Sequence, residues 1–356
     1  MNATEILNVI LSQKTANGIS ETKAITEVAK DLNLARGTIT RWLKLENVPQ
    51  QYTFDLMKMA GMEIDYSQFS DKEKDQFFTI LATVRKCYEI FTEKMSELGF
   101  DTSEHIFIEP SAGSGAFLEV LPEGRTLAFD IEPKNESVIE QDFLSWTPQE
   151  DKKYIVFGNP PFGLRGHLAL AFINHSYKFA DFVCFILPQL FESDGKGSPR
   201  KRIDGYNLIL SEKIDNTFVF PNQKEVKVNV IFQILSKHHE NKEFDIYQPN
   251  NKNINVYSLS NGETPSQQRN VDMIDKCDMY LPSTCFGKQN MRSYDNFNDL
   301  PNLKGYGITF QNASSKTIED AKNIQWSDVS FQSTNSAYNL RKNKILEALE
   351  NRNIGE

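Results

Sequence analysis

The stretch HIFIEPSAGSGAF, residues 105–117, decides the fold. Phe107-Ile108-Glu109 reads as the end of a strand, Pro110 to Gly115 as a glycine-rich turn, and Ala116-Phe117 as the start of a helix. Glycines let a ligand approach the backbone closely at the strand's carboxyl end, and a helix start offers free N–H groups. The short Gly-x-Gly form has no third glycine and no Gly-Lys-Ser/Thr, which disfavours a dinucleotide fingerprint or a P-loop.

Working outward, short apolar runs recur between turns and helices: RTLAFDIEP, YIVFGNPP, DFVCFILP and VKVNVIFQILS. Continuous apolar strands imply a sheet covered on both faces, hence an α/β, doubly wound Rossmann-like domain. A helical pattern over 80–98 places Ile80, Val84, Cys87, Tyr88, Phe91 and Met95 on one side. Residues 20–45 carry two helical runs: Ile25, Val28, Ala29 and Leu32, then Ile39, Trp42 and Leu43. Pro49 and Gly61 mark the end of that unit, and 245–356 is richer in Asn, Ser, Gln and Asp. The expected organisation is an N-terminal helical domain over 1–60, a linker over 61–74, the α/β domain over 75–240 and a C-terminal region over 241–356. No internal repeat stands out.

The chain has 356 residues with 39% hydrophobic and 24% charged, the composition of an ordinary globular protein. No run reaches the roughly 18 apolar residues of a membrane span, and no signal peptide is apparent at the N-terminus. Cys87, Cys184, Cys277 and Cys285 lack Cys-x-x-Cys spacing. That pattern argues against a zinc site or disulfide framework and fits the reducing cytoplasm. The net charge of −9 does not advertise a nucleic-acid binder, so any such surface must be a local basic face.

Two acids close later strands. Asp130, followed by Ile131 and with Glu132 as the fallback, ends the strand after the glycine turn, where a carboxylate accepts hydrogen bonds from ribose hydroxyls. Asp142, in Gln141-Asp142-Phe143, follows a third short strand and suits an adenine amino group, with Phe143 packing on the ring. Most informative is Asn159-Pro160-Pro161-Phe162 after the strand Tyr154 to Phe157. Two successive prolines stiffen the loop and confine Asn159 to extended backbone. A stiff loop holds one amide and a neighbouring carbonyl in fixed geometry. That arrangement answers a chemical need. The lone pair of adenine's N6 amine is delocalised into the ring, and acceptance of its two hydrogens by the Asn159 amide oxygen and the Pro160 carbonyl makes it a better nucleophile. Positioning and charge stabilisation then do most of the work. Phe162 supplies a flat face for a base swung out of the duplex.

In these motifs the chain resembles amino-group DNA methyltransferases of restriction-modification type, in the γ order, with cofactor motifs before the catalytic tetrad and a recognition region last. The resemblance covers about 75–237, and Phe182 to Pro188 and Val228 to Phe232 resemble its later strands. It implies S-adenosyl-L-methionine as cofactor, bound by Asp75 to Thr79 (Phe78 and Thr79 foremost), by Glu109, Pro110, Ala112, Gly113 and Gly115, by Asp130 and Ile131, by Asp142 and Phe143, and by Asn159. The tetrad would be Asn159, Pro160, Pro161 and Phe162. Asn at its head points to adenine N6, since cytosine-N4 enzymes of the wider family usually have Ser there. The implied partner is double-stranded DNA, joined by a cognate restriction endonuclease unless the enzyme is an orphan, with no metal and no membrane, and 241–356 would be the target-recognition region by order alone.

An N-terminal helix-turn-helix departs from the family pattern. Its second helix would present Arg36, Thr38, Thr40, Arg41 and Lys44 to the major groove. Lys196, Arg200, Lys201 and Arg202 form a basic loop after Pro188, suited to phosphate. Glu225-Val226-Lys227 only superficially suggests a nuclease motif, and His238-His239 reads as a surface pair. Tyr280, Arg292, Tyr294, Lys304 and Tyr306 mix aromatic and basic groups and are a weaker match to base and backbone reading. Two rival readings stay open: a methyltransferase for RNA adenine or protein glutamine, and a helix-turn-helix regulator on a non-catalytic methyltransferase fold.

Overall fold

The structure is a computed structural model that describes residues 1–32, 34, 36–62, 78–163, 166–193, 198–214, 217–219, 225–245, 247, 252–332 and 337–354. Four helices come first: α1 (Ala3–Ala16), α2 (Glu21–Asp31), α3 (Arg36–Leu45) and α4 (Thr53–Met59). Asn2 and Glu5 form a capping box on α1, and Ser20 caps α2 by accepting from the Lys23 amide. These caps satisfy N–H groups that a helix start leaves unpaired. Leu7, Ile10, Ala24, Val28, Ile39, Trp42, Tyr52 and Leu56 share one small core between the helices.

The central unit runs β1 (Phe78–Thr79), α5 (Leu81–Glu97), β2 (His105–Glu109), β3 (Thr126–Asp130), β4 (Ile139–Glu140), β5 (Lys153–Gly158), α6 (His167–Ser176), β6 (Ala180–Pro188), β7 (Asn207–Lys213), β8 (Thr217–Val219), β9 (Glu225–Lys227) and β10 (Val230–Ser236). Its seven-stranded sheet has the order β4-β3-β2-β5-β6-β10-β7. The pairs β3–β4, β2–β3, β2–β5 and β5–β6 are parallel, and β10 lies antiparallel between β6 and β7. This is a doubly wound, Rossmann-like arrangement. The strand order reverses between β2 and β5, and the crevice outside strand ends at such a point is where open α/β sheets bind ligands. One apolar face is covered by α5 through Val84, Cys87, Ile90 and Phe91, the other by α6 through Ala169, Leu170 and Ile173. The fully apolar strands of the sequence are therefore strands buried on both sides.

Two local expectations change. The helix start after the glycine turn is only one 3₁₀ turn, Ala116–Glu119. Pro122 and the left-handed Gly124 interrupt the short run before β3, and α5 already fills the face that a longer helix would cover. The run VKVNVIFQILS is two strands rather than one: β9 pairs with β8 in a separate three-stranded sheet, and β10 joins the main sheet.

The C-terminal part holds β11 (Ile254–Ser260), β12 (Met279–Pro282), β13 (Thr284–Cys285), β14 (Lys304–Phe310), α7 (Ser315–Lys322), α8 (Trp326–Val329), β15 (Phe331–Gln332), β16 (Tyr338–Asn339) and α9 (Lys342–Glu350). Its sheets, β11-β14-β12 and β13-β16-β15, enclose a core with Met279, Leu281, Ile308, Trp326, Leu340 and Ile345. The Gln332 amide donates to the Gln189 side-chain oxygen at 3.0 Å, tying this part to the segment after β6.

Candidate active site

The carboxyl ends of β2, β3 and β5 bring the glycine turn, Asp130 and Asn159 together. Gly113 and Gly115 have φ of 52° and 83°, a region that favours glycine. A Cβ on Gly113 would also stand 3.0 Å from the Phe78 ring, so that ring lies directly on the turn. The turn is held by its own backbone. The Ala112 amide donates to the Phe129 carbonyl at 2.8 Å, and the Gly113 amide to Asp130 Oδ2 at 2.7 Å. Asp130 Oδ1 accepts from the Glu132 amide at 2.8 Å. Each oxygen of Asp130 has thus used one lone pair on the chain and retains another. Ile131 is exposed beside it.

Glu109 ends β2 and is 2% exposed. Its Oε2 has no hydrogen-bond partner among the described residues. Burial, aided by the negative charge of Asp130, pushes this carboxyl well above the usual carboxylate range. A buried acid in this condition is poised for a cationic or donor group.

Asn159 follows β5. Its Nδ2 donates to Thr79 Oγ1 at 3.2 Å, and its main-chain oxygen accepts from Ser111 Oγ at 3.0 Å. The amide is thereby oriented with Oδ1 as its acceptor end, between β1 and the glycine turn. Pro160 is buried, Pro161 half-buried, and Phe162 only 6% exposed. Phe162 belongs to the core cluster that also contains Phe117 and Phe157, so its face is largely covered.

Asp142 accepts from the Leu144 amide at 3.0 Å through Oδ1, and its Oδ2 is paired with the Lys58 ammonium of α4. Phe143 is fully buried, with its ring 5.2 Å from Phe172 and 5.0 Å from His175. The sequence offers no hint of Lys58, because the two partners are 84 residues apart. A second bridge was equally hidden: His167 Nε2, at the start of α6, lies 2.7 Å from Asp55 Oδ2.

Of the expected DNA-facing residues, Arg36, Thr40, Arg41 and Lys44 are exposed on α3 and Thr38 is half-buried. Lys201 is exposed while Arg200 and Arg202 are half-buried; Lys196 lies outside the described residues, as do Asp75, Gln76 and Phe77. His238 is exposed but not a simple surface residue. Its Nε2 meets Asp181 Oδ1 at 2.9 Å, while Asp181 Oδ2 meets His105 Nε2 at 3.1 Å. The antiparallel β6–β10 pair sets Phe182 opposite Ser236, which brings Asp181 beside the residues that come after β10. This cluster sits at the amino ends of β2 and β6, away from the glycine turn. The His105 and His238 hydrogen bonds hold Asp181 down at about 2. No group of three or more potential metal ligands is found among the described residues, and no described helix is long and apolar enough to cross a membrane.

No protein-family model matches the chain, and no curated protein matches it. Among solved structures it is similar to a protein from Pyrococcus horikoshii described as an RNA methyltransferase. The identity is 17%, with 46% of this chain and 86% of that one covered and a TM-score of 0.34. It is similar too to a modification subunit of a type I restriction enzyme from Vibrio vulnificus, at 13% identity over 88% of this chain and 70% of that one, TM-score 0.32. A chain of a type I restriction-modification system matches at 15% identity over 58% of this chain and 56% of that one, TM-score 0.32. Likeness of this degree says nothing of substrate, which has to be read from the residues themselves.

Proposed function

We propose that the chain transfers a methyl group from S-adenosyl-L-methionine to the exocyclic N6 amine of an adenine in double-stranded DNA, as a site-specific modification enzyme with or without a cognate endonuclease. One observation carries the reading: Asn159 stands at the end of β5 with its amide turned by Thr79 and its backbone held by Ser111 of the glycine turn. An acceptor so fixed is suited to an amine that must lose its planarity before it reacts.

The residues fit the donor. The buried Oε2 of Glu109, without a hydrogen-bond partner among the described residues, suits the ammonium of an amino-acid moiety. Asp130 retains lone pairs for ribose hydroxyls, and Asp142 is an acceptor for an adenine amine. When bound, the donor supplies an electrophilic methyl on a positively charged sulfur. Asn159 Oδ1 and the Pro160 carbonyl accept the two hydrogens of the target amine and hold its lone pair toward that methyl. These acceptors need no reorganisation at the moment of reaction, which is the source of their effect. Phe162, largely covered by the core, bounds the base site.

The test offers methyl-labelled donor with DNA, RNA and protein separately, with single-molecule sequencing of the DNA afterwards. N6-methyladenine in DNA, abolished by Asn159→Ala in a chain that remains folded, is the expected result. Label confined to RNA or protein rejects the substrate. Absence of label everywhere, with equal DNA binding by both forms, makes the chain a regulator on a non-catalytic fold.

A further inference from the structure

The N-terminal helices do not hang free of the catalytic unit. On α4, Asp55 and Lys58 are three residues apart and therefore share a face. Each crosses to a different point of the α/β unit. Asp55 pairs with His167 at 2.7 Å, and Lys58 pairs with Asp142. His167 opens α6 after the loop that carries Asn159 and is 5% exposed, while Asp55 is partly exposed, so the first bridge is partly buried. Rings continue the joint inward. Tyr52 lies 5.6 Å from the His167 ring and 4.7 Å from the ring of Trp42, which belongs to α3. Two ring contacts thus connect the helix that would read DNA to the helix after the candidate catalytic loop.

The exposed face of α3 has a distinct charge. RGTITRWLKL contains Arg36, Arg41 and Lys44 and no acid, in a chain whose total is −9. The basic turn Pro199–Arg202 also contains no acid, and it packs on the same joint. Asn174 of α6 donates to the Arg202 carbonyl at 3.0 Å, and Pro199 stands against Gly166, one residue before α6. Arg202 and the Tyr52 phenol are close enough to act on each other electrostatically. Two acid-free basic elements therefore flank one packed joint beside the Asn159 loop. The ring steps across that joint are short against the roughly 34 Å of one duplex turn.

We propose that the helix-turn-helix and the Pro199–Arg202 turn form a single DNA-binding surface with the Asn159 loop, gripping the duplex that flanks the target base. The Asp55–His167 pair and Tyr52 set the relative position of the two halves. This rests on the proposed function and goes beyond it, since it assigns the first domain to target binding rather than to a separate operator.

The experiment measures methyl transfer to plasmid DNA by the full chain across a salt series, for wild type, Arg36→Ala/Arg41→Ala and Asp55→Asn, with donor affinity measured for each. Each lost phosphate contact reduces the slope of log kcat/KM against log salt by about 0.9. The double variant is expected to lose about tenfold or more in kcat/KM for DNA and about two units of slope, with donor affinity unchanged. Asp55→Asn keeps both basic elements. It should lose kcat/KM through a loosened joint while keeping the wild-type slope, a combination that loss of charge does not produce. If wild type methylates DNA but the double variant matches its kcat/KM and slope, the shared surface is refuted and the proposed function stands. If wild type methylates no DNA, both fall together.

Discussion

Replacing Glu109 by leucine should make the protein more stable and less able to hold the proposed methyl donor. The side chain is 2% exposed at the end of β2, and Oε2 has no partner among the described residues. Leaving a buried polar group unsatisfied costs about 1–3 kcal/mol. Leucine has nearly the same reach and no polar atom, so the donor-free chain should gain stability of that order. For a domain of about 150–250 residues, the size class of the α/β unit that holds Glu109, about 1 kcal/mol corresponds to roughly 2–4 °C in Tm. The same carboxylate is assigned to the donor's ammonium, and a hydrogen bond to a charged group is worth about 1.5–3 kcal/mol. Donor affinity should therefore fall about 10- to 150-fold. The pH dependence supplies a second check. Glu109 has a raised pKa in the native state, so the native chain keeps a proton that the unfolded chain has released. Its contribution to stability then declines as pH rises from the ordinary carboxylate range through the raised value, and Glu109→Leu should remove that decline. Because donor binding would ionise the group, calorimetry in buffers of different ionisation enthalpy should show proton release by wild type and none by the variant. Thermal unfolding and titration with donor are the assays. A lower Tm together with unchanged donor affinity would refute both the burial argument and the assignment.

Other substitutions test the remaining parts of the site. Thr79→Val removes the hydroxyl that orients Asn159; kcat should fall about 10-fold or more as the acceptor geometry is disturbed. Gly113→Ala places a methyl 3.0 Å from the Phe78 ring at a φ of 52°, so donor affinity should fall and the Tm should drop by an amount corresponding to about 1–2 kcal/mol. Lys58→Gln frees Asp142 from its ion pair; the pair is partly exposed, so the effect on stability should stay within about 1 kcal/mol, while donor affinity rises as Asp142 becomes available to it. Asp181→Asn breaks the hydrogen bonds to His105 and His238. Asp181 is depressed to about 2 in the native state, so its contribution is present above the ordinary Asp range and lost as pH falls toward about 2. The wild-type advantage in chemical denaturation should therefore be seen at neutral pH and shrink in strong acid.

The parts of the fold legible in the sequence are those that a short stretch of chain specifies by itself. A strand buried on both faces must be apolar throughout, so β2, β3, β5, β6 and β10 announced themselves, and the glycines at 113 and 115 are needed where φ is positive. Asn159-Pro160-Pro161-Phe162 is likewise local, because prolines restrict their own neighbours. Hidden from the sequence were groups that only the winding of the chain brings together: Thr79 with Asn159, Lys58 with Asp142, Asp55 with His167, and Asp181 with His105 and His238. No spacing rule predicts them, since each pair joins elements separated by at least one crossover or by a linker. The 3₁₀ turn after Gly115 was missed for a related reason. Its local pattern permits a helix, but α5, which precedes β2 in the chain, has already taken the surface on which that helix would lie. Charge shows the same division. A total of −9 describes the whole surface, whereas α3 and the Pro199–Arg202 turn carry no acid at all. Because a duplex phosphate responds to charges within roughly a Debye length, about 8–10 Å, the local composition governs contact and the total governs only the approach.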